Sequence, residues 1–358
     1  MNTPFQLKLS IEIKCIFLQA EKKQIKQHTM KEQGLYPLKF MPLFKDKIWG
    51  GNKIRDIVGI DYSPLNRCGE LWVLSALEGN ETVVENGFLA ECTLPEVIEM
   101  YNDELLGEEN FDRFSTEFPL LIKLIDANDN LSIQVHPDDD YAHKHGMENG
   151  KTEMWYVLQA DEGSEIYVGF NEKETKADII NRLRNKTFKE VMHKDIAQQG
   201  DLFFIPAGTM HAIGKGILLA EIQQSSDATF RLYDWDRKDE EGNPRQLHLE
   251  QGLEVLDLSK QEGTAKVHYH YHLNETNNLV ECPYFVTNIM PLTQGLKKDY
   301  SNSDTFYLYF CVAGKGFVSS MGHRIPLSAG EILMIPAIAK DSIIEPSPMM
   351  EILEITIL

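Results

Sequence analysis

The chain carries one short pattern twice, and that repeat restricts its architecture more than any other feature. Gly200 to Ala207, GDLFFIPA, returns as Gly330 to Ala337, GEILMIPA, 130 residues later. Upstream of each copy lies an aromatic-led apolar run, Trp155-Tyr156-Val157 and Phe306-Tyr307-Leu308, and here the offset is 151. A duplicated β unit with an extra segment in its first copy explains both offsets. The 21-residue difference is close to the length of a polar stretch, Asn171 to His193. There Ile179, Ile180 and Leu183 have helical spacing and Thr187 with Glu190 reads as a capping box, so a helical insertion in a β framework is expected. The copies differ chemically. At the position of His211 the second has Asp341, and it has no counterpart of Gln134-Val135-His136.

The other elements follow from pattern. Tyr36 to Gly51 reads as extended pieces broken by Pro37, Pro42 and Gly50-Gly51, and Glu70 to Ala76 as a strand. Thr93 and Glu96 form a capping box ahead of Leu94, Val97, Ile98 and Tyr101, which predicts a helix ending near Asn102. Phe118 to Ile125 is a buried strand whose exception is Lys123, either snorkelling to water or facing a ligand. Further strands are expected at Met154 to Leu158, Glu165 to Phe170, Asp201 to Ile205 and Ile217 to Gln223, then a short helix within Leu247 to Leu258. The chain divides into an extension at 1–33, a catalytic metal-binding region at 34–260 and a metal-free second region at 261–358.

One constellation carries chemistry. Gln134 and His136 are two apart on a strand and so share a face, Pro137 stops that strand, and Asp138 to Gly150 reads as a solvated loop that returns the chain to Glu153. The segment GDLFFIPAGTMH, Gly200 to His211, fits G-x5-P-x-G-x2-H and sets a histidine at the start of the next strand. This half-pattern resembles the cupin superfamily, and with Gln134, His136 and Glu153 upstream it points to a metal site. The expected fold class is therefore mainly β, tandem cupin-type jelly-roll barrels with a small helical insertion.

The resemblance narrows over four motifs in order: FPLLIKLIDANDNLSIQVHPDDDYA, GKTEMWYV, PAGTMHAIGKG and EIQQSSDATFRLYDWDR. Together they are similar to the type I mannose-6-phosphate isomerases in their shorter bacterial form, and the likeness covers Tyr36 to Leu358. It implies one zinc ion per chain on Gln134, His136, Glu153 and His211, a catalytic Arg231, and a substrate site lined by Lys123, Ser132 and Lys151. No motif departs from the family, although Met154 and Met210 stand where other residues are common. The implied substrate is a sugar phosphate and the implied enzyme a monomer or weak homodimer. Aldose-ketose isomerisation gathers negative charge on two adjacent oxygens, and a Lewis-acid ion with an arginine fork suits that need. Glu221, on the strand leading to Arg231, is a candidate proton-transfer base; its alternative role is to pair a neighbouring lysine.

Charge and composition remove other classes. A net charge of −20 argues against holding a nucleic-acid backbone. No run of eighteen apolar residues suggests a membrane span, and five scattered cysteines without CxxC spacing suit thiols in a reducing, cytoplasmic compartment. His268, His270 and His272 alternate as on a connecting strand, yet no carboxylate is patterned to complete a second metal site. Asp138 to Asp140 lacks the glycine and terminal glutamate of a calcium loop. Two rivals remain. His136, Glu153 and His211 match a non-haem iron triad, against which the cations Lys123, Lys151 and Arg231 weigh. A sugar-sensing cupin would carry a DNA-reading module, and none is seen. A fused nucleotidyltransferase is excluded because no Gly-rich phosphate loop precedes the cupin.

Overall fold

The computed structural model describes residues 31, 33–185, 187–238, 241–260 and 265–357; most of the expected 1–33 extension lies outside them. Among the described residues the strands form three sheets, so the mainly β architecture stands. A seven-stranded sheet runs, in spatial order, Lys266–Val267, Leu202–Ile205, Glu153–Ala160, Ile217–Gln224, Leu120–Ala127, Glu70–Leu74, Leu43–Lys45. A five-stranded sheet runs Phe230–Tyr233, Ile133–Val135, His211–Ile213, Glu165–Phe170, Met192–Ile196. A nine-stranded sheet takes up the C-terminal region around two long strands, Tyr307–Ser320 and Asp341–Thr356. Strand pairing ties the two regions in both directions: Leu38–Met41 joins the nine-stranded sheet beside Ile332–Ile335, and Lys266–Val267 pairs back onto Leu202–Phe203.

The complete burial of Leu120–Ala127 has a plain cause. Its eight residues are all buried, because alternate side chains enter two different cores. Leu120, Ile122 and Leu124 join the large core between this sheet and the nine-stranded one, while Ile125 and Ala127 join the interior core with Trp155, Val157, Phe203 and Leu219. Lys123 has the parity of the interior face. Neighbouring strands obey the same split, with Leu218, Ala220 and Ile222 outward and Leu219 inward. That alternation sends Glu153, Glu221 and Gln223 inward too.

Helix caps were partly legible. Thr93 and Glu96 make the reciprocal box that starts Leu94–Tyr101. Thr187 does not cap anything, and only a 3-10 turn, Phe188–Glu190, follows it. The reciprocal contacts at Lys176–Asn185 come from Thr175 and Asp178 instead, with Asp178 taking the place usually held by Glu or Gln. The stretch expected as a solvated loop after Pro137 contains a helix, Asp139–Lys144, because the Asp138 carboxylate accepts from Tyr141 N at 2.9 Å. His268, His270 and His272 are exposed and lie beyond the paired Lys266–Val267, so the expected histidine strand does not form.

One carboxyl is buried at a cost. Asp126 accepts from Lys53 N at 2.5 Å through Oδ2, whereas its Oδ1 is buried with no partner. Gly51 lies so close that a Cβ there would sit 2.6 Å from that oxygen. Burial outweighs the two backbone amides, and the carboxyl is pushed up to about 6. A carboxyl with a higher pKa folded than unfolded favours folding at low pH, and that advantage is lost as pH rises from about 4 to about 6. The stability of Asp126→Asn relative to the parent should therefore rise by about 1–3 kcal/mol between pH 4 and pH 7.5 in urea titrations. A difference that stays flat with pH would show that Asp126 is not held protonated.

Candidate active site

The site forms where the five- and seven-stranded sheets face each other. In the five-stranded sheet Gln134 lies directly across from His211 on one side and Arg231 on the other. His136 follows just past the strand end, and Glu153 enters from the opposite sheet. His136, Glu153 and His211 converge, each buried, with one donor atom apiece inside a span of 4.8 Å.

The imidazole orientations are fixed by backbone. His136 Nδ1 donates to Ala228 O at 2.7 Å and His211 Nδ1 to Thr209 O at 2.9 Å, so each ring presents a bare Nε2 lone pair inward. Those two Nε2 atoms are 3.1 Å apart, and Glu153 oxygens lie 3.3 Å from His211 Nε2 and 3.6 Å from His136 Nε2. Gln134 brings its amide within 3.3 Å of His211 Nε2, and a half-turn of that amide presents its oxygen. The edges of a tetrahedron with metal bonds of about 2.0–2.1 Å are about 3.4 Å, so this donor set fits a zinc-sized ion. Glu153 Oε1 is also a buried oxygen with no hydrogen-bond donor. Burial, then Lys151, drives His211 down to about 3 and His136 well below its ordinary value, and both imidazoles stay neutral. Burial raises Glu153 to about 7 against the pull of Lys151.

A row of charge crosses the seven-stranded sheet beside this cluster: Trp155, Glu221, Lys123 and Trp72 are successive cross-strand neighbours. Lys123, buried, donates to Glu221 Oε1 at 3.0 Å and to Gln223 Oε1 at 2.7 Å, so it faces the pocket rather than water. Trp155 Nε1 donates to Glu221 Oε2 at 3.0 Å. Burial would raise the Glu221 carboxyl, but Lys123 and Lys151 prevail and hold it at about 2. Glu221 thus does what its alternative reading anticipated and pairs a lysine. Lys151 Nζ bonds Glu153 Oε2 and lies 3.1 Å from His136 Nε2. Arg231 Nε donates to Ser132 Oγ at 3.2 Å, and burial followed by Arg245 lowers its pKa.

A cavity of about 460 Å³ meets the site at Gln134 and Lys151, while His136, Glu153 and His211 lie behind its lining. It brings together Lys123, Ser132, Gln134, Lys151, Glu221 and Arg231 from the sequence reading. It also gathers residues that reading missed: Lys45, Lys47, Glu70, Trp72, Asn80, Asp227 and Arg245. The i, i+2 spacing of Lys45 and Lys47 at the end of the Leu43–Lys45 strand was the signal available for those two.

The matches to known proteins agree with this geometry. Residues 37–195 match the model of the phosphomannose isomerase type I catalytic domain, and residues 275–350 that of the mannose-6-phosphate isomerase cupin domain. Mannose-6-phosphate isomerase ManA of Bacillus subtilis is 38% identical over 84% of this chain and 93% of its own. The chain belongs to the type I phosphomannose isomerase family. Members of that family are aldose-ketose isomerases, and the enzyme class expected from the motifs stands. Mannose-6-phosphate isomerase of Streptococcus mutans is 39% identical over 84% of this chain and 92% of its own. A crystal structure of the Bacillus subtilis mannose 6-phosphate isomerase superposes with a TM-score of 0.78 at 30% identity, covering 90% of this chain and all of that one.

The Lys123–Glu221 pair gives a test of its own. Removing one partner of a buried pair strands the other charge, so Glu221→Gln should lose about 2–4 kcal/mol in urea at pH 7. Because the folded pKa of Glu221 is depressed, that loss should shrink as pH falls from about 5 toward 3. An unchanged unfolding midpoint would remove Glu221 from the structural network.

Proposed function

We propose that the enzyme interconverts D-mannose 6-phosphate and D-fructose 6-phosphate by proton transfer through an enediolate. One Zn2+ per chain would be held by Gln134, His136, Glu153 and His211. The observation that carries the reading is the pair of inward Nε2 lone pairs beside a Glu153 oxygen with no donor, a buried group of acceptors that favours a bound cation in addition to Lys151. A solved mannose 6-phosphate isomerase that shares this fold with a TM-score of 0.70, at 16% identity, was determined with zinc bound. A bound ion of this kind supplies positive charge against two adjacent oxygens as they gain electron density.

Residues of the chain do the rest. Arg231, opposite Gln134 in the ladder, offers a fork whose Nε is fixed by Ser132 and whose Nη1 is fixed by the carbonyl of Gln246 at 2.8 Å. Lys123 and Lys151 add fixed positive charge on the facing sheet, offsetting locally the net −20. Glu221 is a poor proton acceptor, with both oxygens engaged and its carboxyl held at about 2. Its part in catalysis is to position Lys123. The trio of Lys123, Ser132 and Lys151 lines the sugar. We assign this chemistry to residues 34–260, with 261–358 as the metal-free region, in a cytoplasmic monomer or weak homodimer; the buried thiols of Cys68, Cys282 and Cys311 agree with a reducing compartment.

A coupled assay for fructose 6-phosphate should show activity that disappears on chelation and returns with added zinc. Full turnover by metal-stripped protein would sink the reading. His211→Ala should lose bound metal and activity together. Arg231→Ala should keep its zinc and drop kcat by roughly a hundredfold or more, with little recovery in Arg231→Lys, whose ammonium cannot reproduce a planar fork. If Arg231→Ala instead raised only KM, Arg231 would bind substrate without acting in the transition state.

A further inference from the structure

Six cations line the cavity, and four of them have a carboxylate partner. Lys47 pairs with Glu70 at 3.1 Å, Lys123 with Glu221 at 3.0 Å, Arg245 with Asp234 at 2.8 Å, and Lys151 with Glu153. Among the described residues, Lys45 and Arg231 have no carboxylate within ion-pair distance. These two lie at opposite ends of the site. Arg231 is a cross-strand neighbour of Gln134 and so belongs to the ligand end. Lys45 sits at the end of the edge strand of the seven-stranded sheet, four strands from Glu153–Ala160, and its side chain reaches back over Trp72 toward Lys123.

The setting of Lys45 is built rather than loose. Its Nζ lies 4.6 Å from the ring centroid of the buried Trp72 and bonds Asn80 Oδ1. Lys123 Nζ lies 5.2 Å from the centroid of that same ring. Burial, then the like charge of Lys47, lowers the Lys45 pKa against the pull of Glu70. An open-chain hexose phosphate has its reacting carbons, C1 and C2, at one end and its dianion on C6 at the other. With C1 and C2 at the ligand cluster, the extended chain carries its phosphate outward along the cavity, toward the Lys45 ammonium above Trp72.

We propose that Lys45, held by Trp72 and Asn80, receives the 6-phosphate of the substrate, which makes the Leu43–Lys45 strand the element that selects phosphorylated sugars. The proposal rests on the isomerase reading above for the orientation of the sugar, and on the charge pattern alone for the anion site. In the metal-loaded enzyme, Lys45→Met should raise KM for mannose 6-phosphate by about ten- to a hundredfold, while kcat falls by less than about threefold. The inhibition constant of inorganic phosphate should rise by a similar factor. Lys45→Arg should remain within about threefold of the parent, because a guanidinium also binds phosphate. Asn80→Asp, which would place a competing carboxylate on Lys45 with little change of shape, should raise KM as Lys45→Met does and guards against a folding defect in the latter. Calorimetric titration of each metal-loaded protein with inorganic phosphate separates the two readings: it reports the anion site even if the parent shows no isomerase turnover. Unchanged phosphate binding in both Lys45→Met and Asn80→Asp, or no phosphate binding by the parent, would overturn the assignment. So would a fall in kcat with KM unmoved.

Discussion

Two neutral imidazoles point their lone pairs at each other across 3.1 Å, and the rest of the catalytic region can be understood as what makes that arrangement possible. The Nδ1 protons are committed to the carbonyls of Ala228 and Thr209, so neither ring can turn its proton inward without losing a buried hydrogen bond. The Glu153 oxygen beside them has no donor. A buried cluster of acceptors is stable only around positive charge. Lys151 supplies one such charge from the protein itself, and the four-donor geometry suits a zinc-sized ion.

Holding this cluster in place requires burying ions in pairs. Lys123 with Glu221 and Lys151 with Glu153 sit at the interior face of a sheet whose neighbours there include Trp155, Val157 and Leu219. A single member of either pair would be costly, and Gln223 and Trp155 complete the hydrogen bonding of Lys123 and Glu221. The indole of Trp155 also packs edge-on against His211, with centroids 5.3 Å apart, so one side chain braces both the charge row and a donor ring.

The C-terminal region carries most of the nine-stranded sheet, and packing accounts for what it does. The outward face of the seven-stranded sheet shares one large core with Phe306, Leu308, Phe310, Leu353 and Ile355 of the nine-stranded sheet. Without that cover Leu120, Ile122 and Leu124 would face water, and the strand carrying Lys123 would lose one of its two supporting cores. The exchanges of Leu38–Met41 one way and Lys266–Val267 the other further tie the regions together.

Local pattern in the sequence determined a good deal: the duplicated strand-turn unit, the strand on which Gln134 precedes His136, the proline turn ahead of His211, and the Thr93–Glu96 cap. These depend on backbone period and on contacts between residues close in the chain, which any single stretch encodes. Only tertiary structure decided that Lys123 turns toward Glu221, 98 residues away, and that Lys45 is left without a carboxylate while Lys47 takes Glu70. It also decided that the alternating histidines at 268, 270 and 272 find no strand to pair with. In each case the outcome depends on which distant strand or side chain arrives alongside. A charge pattern read along the chain cannot say which ions will meet, because partner choice is set by strand order and register across the sheet.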